Sequence, residues 1–265
     1  MRLFCALAML ACTLPLSATL MAASCELTIS AAASLTGAFK AIASQYQQLQ
    51  PCKLTLNFAA SGVLVQQLRH GAPVDLLATA DQQSMDLAEA SALIDPASRQ
   101  DFIANRLVLI VPVSPTTASP QAGSTATAAT TSNSADLQQL TAAAYQRIAI
   151  GNPATVPAGR YAKDSLQQAG LWPALSAKLV QAANVRQVLD YVVRGEAEAG
   201  FVYASDAKDQ QVRSLGMVPV QSPIRYPLAV SSTSKYAAQA RAFSQYLRSQ
   251  AAQQILWQYG FSPIE

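Results

Sequence analysis

Two serines stand where hydroxyls can do chemistry. Ser34 lies in Ala31-Ala32-Ala33-Ser34-Leu35-Thr36, after the apolar run Leu27-Thr28-Ile29-Ser30. Phe39, Ile42, Tyr46 and Leu49 follow at close to helical spacing. Ser61 repeats that context: Leu54-Thr55-Leu56-Asn57-Phe58, then Ala59-Ala60-Ser61-Gly62, then a helix near Val63 with Val65 and Leu68 apolar. Each serine therefore sits where a strand hands over to a helix, at or near an N-cap. The first N–H groups of a helix lack partners inside it and carry the positive end of its dipole. A hydroxyl beside them forms an uncharged cradle for an anion. The alternative is that either serine only caps its helix.

Nucleophilic catalysis fits these serines poorly. His70 is the single histidine and lies at the far end of the helix that Ser61 opens. No Gly-x-Ser-x-Gly elbow surrounds Ser61, and no orienting acid is evident. Nor does the chain carry a cluster of metal-ligand spacing, so neither a catalytic metal nor a resident cofactor is expected.

The elements that must position these groups follow in order. Gly71-Ala72-Pro73-Val74-Asp75 turns into a strand at Leu76-Leu77-Ala78-Thr79, and Asp81 caps the next helix. Leu107-Val108-Leu109-Ile110-Val111 reads as a fully buried strand. Ser114 to Ala135 is rich in Thr, Ala, Ser and Pro, a composition that builds no core. Arg147 to Ile150 is a strand, and Ala158-Gly159-Arg160-Tyr161 opens a helix after a loop rich in Gly and Pro. Arg160 can reach toward a ligand, cover a cleft mouth or face solvent. Asn184 caps a helix over 185–193, and Ala199 to Tyr203 is a strand. Tyr226 to Val230 reads as a return crossing. This β-α-β-α alternation predicts two doubly wound α/β lobes. Ligands in such sheets bind beyond the carboxyl ends of strands. Ser34, Ser61, Ala158, Val185 and Tyr203 all fall at such ends or at the helix starts after them.

The chain has 265 residues, of which 51% are hydrophobic and 12% charged, with a net charge of +3. That is enough length for two modest cores and too little basic charge for a nucleic-acid footprint. Residues 1–24 read as an export signal: Arg2 is positive, Leu3 to Leu20 is mostly apolar, and Met21-Ala22-Ala23-Ser24 offers small residues for cleavage. Cys5 and Cys12 leave with it. Cys25 and Cys52 stay, each just before a strand, and an exported pair is a disulfide candidate. The rival fate for Cys25 is a lipid anchor, ranked second because the usual leucine of a lipoprotein signal is missing.

At these residues the chain resembles the periplasmic molybdate-binding proteins of bacterial ABC importers. AAASLTGAF from Ala31, FAASGVL from Phe58, GAPVDLLATAD from Gly71, GNPATVPAGRYAKDSL from Gly151, NVR from Asn184, GFVYASDA from Gly200, RYPLAV from Arg225 and QYGF from Gln258 carry the resemblance in order. The resemblance implies the class II periplasmic binding-protein fold, two lobes joined by a hinge. One lobe then comprises 25–107 with 226–265, and the other 108–225 with the insertion at 114–135. It implies that molybdate or tungstate is held by Ser34, Ser61, the N–H groups of Ala158 and Val185, and the hydroxyl of Tyr203. It also implies a monomer in the periplasm, delivering its oxyanion to an inner-membrane ABC permease. A receptor for sulfate or another tetrahedral oxyanion is the alternative. Gly62 departs from the pattern, standing where family members often carry another serine.

Overall fold

The computed structural model describes residues 25–113, 134–208 and 210–264. The expected export signal, and the low-complexity stretch up to residue 133, lie outside them. Among the described residues ten strands form, in chain order. They are β1 (Cys25–Ala32), β2 (Cys52–Ala59), β3 (Leu76–Ala78), β4 (Gln100–Asn105), β5 (Leu107–Pro112), β6 (Ile148–Gly151), β7 (Leu179–Ala182), β8 (Ala199–Tyr203), β9 (Val212–Met217) and β10 (Ile224–Val230). The α-helices are α1 (Thr36–Leu49), α2 (Ser61–Arg69), α3 (Gln82–Ala90), α4 (Pro157–Gln168), α5 (Trp172–Leu175), α6 (Val185–Val193), α7 (Ala204–Ala207), α8 (Ala237–Leu247) and α9 (Gln250–Gln258).

The strands divide into two five-stranded sheets, ordered β2-β1-β3-β10-β4 and β7-β6-β8-β5-β9. Each is mixed. β1, β2 and β3 run parallel while β10 runs against both β3 and β4. In the second sheet β6, β7 and β8 run parallel and β5 runs against both β8 and β9. The two reversed strands are where the chain arrives from the other lobe. β4 passes to β5 through Arg106 alone, and β9 returns to β10 over residues 218–223. Pro227, which lacks an N–H, sits beside a register shift in the β10–β4 ladder.

The apolar strands are buried as their composition demands. Leu107, Val108, Leu109, Ile110 and Val111 of β5 are all buried, as are Leu27, Ile29 and Ala31 of β1. Helices pack against both sheets, α1, α2, α3 and α8 on the first and α4 and α6 on the second. In α6, Val185, Val188, Leu189 and Val192 form one buried stripe at helical spacing. α8 packs against β1 and β10, with Phe243 stacked edge-on to Tyr46 of α1 at 4.9 Å between ring centres. β4 and β9 are strands that the sequence pattern does not announce. Both lie at sheet edges, where polar residues such as Gln100, Asp101, Arg213 and Ser214 are tolerated.

Cys25 and Cys52 face each other as the first pair of the parallel β1–β2 ladder and form a disulfide with Cα atoms 4.4 Å apart. Cys25 Sγ is therefore engaged in that bond. The bridge joins residues 27 apart. Loop closure of that length constrains the unfolded chain by about 3 kcal/mol. A Cys25→Ser/Cys52→Ser double variant is expected to melt roughly 6–12 °C lower, checked by thermal unfolding with and without reductant.

Candidate functional site

Ser34, Ser61, Ala158, Val185 and Tyr203 line one buried chamber of about 10 Å3, with Ala32, Ala33, Ala60, Ala80, Val156 and Pro157 completing the wall. The first sheet's lobe supplies the two serines; the second supplies Ala158, Val185 and Tyr203. Such a volume holds roughly one water molecule, so a tetrahedral oxyanion enters only when the lobes part. Among the described residues, no Lys, Arg, His, Asp or Glu side chain lines the chamber. A larger hollow of about 430 Å3, which Ser34 also lines, does carry cations, namely Lys40, Arg186 and Lys208. Another hollow, of about 640 Å3, lies against the two lobe crossings and includes none of the five positions.

Both serines lie next to an N-cap, and the alternative that either only caps its helix does not hold. Ser34 lies within a single 3-10 turn, Ala33–Leu35, and α1 is entered from Leu35 with no side-chain cap. Ser61 is the first residue of α2, whose cap position is Ala60. Neither hydroxyl satisfies its own helix, so both serve other partners. Ser61 Oγ accepts from the Ala80 N–H at 3.0 Å, which leaves its own proton for the chamber. Ser34 Oγ pairs with Tyr226 Oη at 3.0 Å.

The two backbone donors are set by helix starts. Pro157 opens α4 without an N–H, so Ala158 carries the first amide of that helix. A first-turn amide has no acceptor within its helix. Gly159 keeps α4 against the end of β6: a Cβ there would lie 1.9 Å from the Gly151 carbonyl oxygen. Val185 opens α6, where Asn184 Oδ1 accepts from Gln187 N at 3.0 Å. Tyr203 ends β8, and its Oη donates to the Ala80 carbonyl across the cleft at 3.4 Å. Burial holds the Tyr203 phenol well above the ordinary tyrosine range, helped by Tyr226 and Tyr161. It remains a neutral O–H donor.

Three contacts hold the lobes together over this chamber. Gly62 N donates to Thr155 O at 3.0 Å. A side chain at residue 62 would meet that same backbone oxygen at 2.9 Å, which is why glycine fits here. Tyr203 and Ala80 make the second contact. Arg160 makes the third: its Nε and Nη2 donate to Asp81 Oδ2 at 2.9 and 2.6 Å, and Nη2 also reaches Ser84 Oγ at 2.8 Å. Arg160 thus does not line the chamber. It spans the cleft to the cap of α3, since Asp81 Oδ1 accepts from Ser84 N. His70 lies exposed at the C-terminal end of α2.

Sequence reasoning misses three contributors. Tyr226 and Asn105 stand behind Ser34, and Asp81 is half of the cross-cleft pair as well as a cap. A fourth group, Asp206, is buried with neither carboxylate oxygen hydrogen-bonded, and Arg186 lies 3.6 Å away. Burial outweighs the attraction of Arg186 and pushes Asp206 up to about 7. The unfolded chain loses this proton near pH 4, whereas the folded chain keeps it to about pH 7. Between those values the folded state binds more protons, so stability falls as pH rises and levels off above 7. Asp206→Asn is expected to flatten that slope and to gain up to about 4 kcal/mol at pH 8 relative to the parent, read from denaturant midpoints at pH 5 and 8.

The family model for bacterial extracellular solute-binding proteins matches residues 27–262. The molybdate-binding protein ModA of Escherichia coli is 39% identical over 240 residues, covering 89% of each chain. Among solved structures, the periplasmic molybdate-binding protein of Azotobacter vinelandii superposes with a TM-score of 0.75 at 21% identity, covering 90% of this chain and 100% of that one. The sulfate-binding protein SubI of Mycobacterium tuberculosis follows at 0.73 and 16%, covering 91% and 88%. These two share the fold. With a family model spanning nearly the whole chain after residue 26 and a relative of this identity, the chain belongs to the bacterial extracellular solute-binding proteins and, within them, to the ModA family.

Proposed function

We propose that this chain captures molybdate or tungstate between its lobes at Ser34, Ser61, Ala158, Val185 and Tyr203, and delivers it to an ABC permease of the inner membrane. One observation carries the reading: five uncharged donor positions, drawn from both lobes, meet in a single buried chamber that no charged side chain among the described residues lines. Hydrogen bonds to an ionised acceptor contribute about 1.5–3 kcal/mol each, and several of them replace a hydration shell. The two lobe crossings form the hinge, and closure over the anion is the signal presented to the permease. The anion is cargo, and the site needs no resident cofactor. The chain acts in the periplasm as a monomer after loss of residues 1–24. Binding rather than hydrolysis fits the placement of Ser61 and His70 at opposite ends of α2, about 13 Å apart along its axis.

A sulfate receptor is the second reading, favoured by the likeness of fold to SubI. Calorimetric titration decides between them. The expected result is saturable 1:1 heat with molybdate and with tungstate that an equal concentration of sulfate does not displace. No saturable heat with molybdate, or displacement by equimolar sulfate, overturns the first reading.

A further inference from the structure

Ser34 is not free to choose which way its hydroxyl points. Asn105, the last residue of β4, is 5% exposed. Its Oδ1 accepts from the Arg106 N–H at 2.9 Å, which fixes which end of the amide is oxygen. Nδ2 then faces Ser205 Oγ at 2.8 Å and Tyr226 Oη at 3.2 Å. Tyr226, fully buried, has one proton to give. On its Asn105 side it meets only N–H, so that proton goes to Ser34 Oγ at 3.0 Å. Ser34 accepts there, and its own proton is left for the chamber that it lines.

We infer that Asn105 and Tyr226 are positioning residues that fix Ser34 as a hydrogen-bond donor, and through it set the site's preference for fully deprotonated tetrahedral oxyanions over hydrogen phosphate. The inference deepens the proposed function and rests on it. Hydrogen phosphate must donate one hydrogen bond. With Ser34 held as a donor, its hydroxyl offers that proton no acceptor, which disfavours the ion. Asn105 is the source of the order, and it stands beside the Arg106 crossing while also bonding Ser205 of the other lobe. The direction of three successive hydrogen bonds is thereby anchored at the hinge.

Reversing the source reverses the chain. In Asn105→Asp the side chain can only accept, so Tyr226 donates to it, Ser34 donates to Tyr226, and Ser34 turns a lone pair toward the chamber. Calorimetry with molybdate and with inorganic phosphate at pH 7 reads the effect, with thermal unfolding as the folding control. N105D is expected to weaken molybdate by roughly 10–150-fold, the equivalent of one hydrogen bond to a charged acceptor. Y226F frees Ser34 to rotate: molybdate binding stays within roughly 3-fold, while its advantage over phosphate narrows by roughly 10-fold. The double variant N105D/Y226F uncouples the introduced carboxylate from Ser34 and is expected to return to roughly the Y226F affinity. A double variant as weak as N105D makes the loss a plain charge effect and overturns the inference. So does a Y226F protein whose molybdate-to-phosphate ratio equals that of the parent, a result that stands even if N105D does not fold. Failure of the unmutated protein to bind molybdate is a different outcome: it removes the proposed function, and this inference with it.

Discussion

Replacing Ser61 by alanine is expected to cost both binding and stability. The Ser61 hydroxyl is fully buried and does two things at once. It accepts from the Ala80 N–H and keeps its proton for the anion. Removing it deletes one charge-assisted hydrogen bond, which weakens molybdate by roughly 10–150-fold. It also strands a buried backbone donor at Ala80, which lowers the unfolding free energy by about 1–3 kcal/mol in the absence of any ligand. Calorimetry and denaturant unfolding on the same preparation separate the two. Parent-like affinity in the variant contradicts the placement of Ser61 among the ligand groups. Parent-like stability contradicts the Ala80 hydrogen bond.

The second large effect belongs to Arg160, which makes no contact with the chamber. Its guanidinium holds Asp81 across the cleft, with side-chain exposures of 15% and 5%. The pair exists only while the lobes are closed on each other. Arg160→Met leaves a buried carboxylate without its cation, and parting the lobes is the relief available to it. Apparent affinity falls by the fraction of molecules that remain closed. A loss of about 100-fold is expected, accompanied by a larger radius of gyration of the unliganded protein in solution scattering. Adding Asp81→Asn removes the uncompensated charge while keeping an N-cap side chain for α3. The double variant is expected to recover about 10-fold of the loss. An R160M protein with parent-like affinity and dimensions refutes the latch.

Much of this arrangement can be read from the residues, for identifiable reasons. Fully buried strands such as β5 are contiguous apolar runs, and α6 shows its buried stripe in its spacing, so two α/β lobes follow from local pattern. The Cys25–Cys52 bond follows from two cysteines at the starts of strands that pair as parallel neighbours. The edge strands β4 and β9 escape because solvent covers part of them, and their polar residues break the pattern. Local pattern puts the serines at the right junctions and leaves open which groups their hydroxyls meet. Capping is a short-range rule, whereas the partners of these hydroxyls are long-range: Ser34 meets Tyr226 across 192 positions. Asn105 reaches Tyr226 across 121, and Arg160 reaches Asp81 across 79. Nothing in the neighbourhood of Tyr226 or Asn105 in the chain distinguishes a hydroxyl-orienting role from an ordinary buried tyrosine and a strand-end asparagine. Those roles exist only once two sheets have been brought together.

The central claim is that an oxyanion exchanges its water for O–H and N–H groups supplied by both lobes, with no cation in contact. Diffraction from crystals grown with molybdate, recorded at the molybdenum absorption edge, addresses it without any mutation. The expected result is one molybdenum peak in the chamber, its four oxygens within hydrogen-bond reach of Ser34, Ser61, Ala158, Val185 and Tyr203. A peak seated instead among Lys40, Arg186 and Lys208 would mean that charge, and not ordered neutral donors, holds the ion.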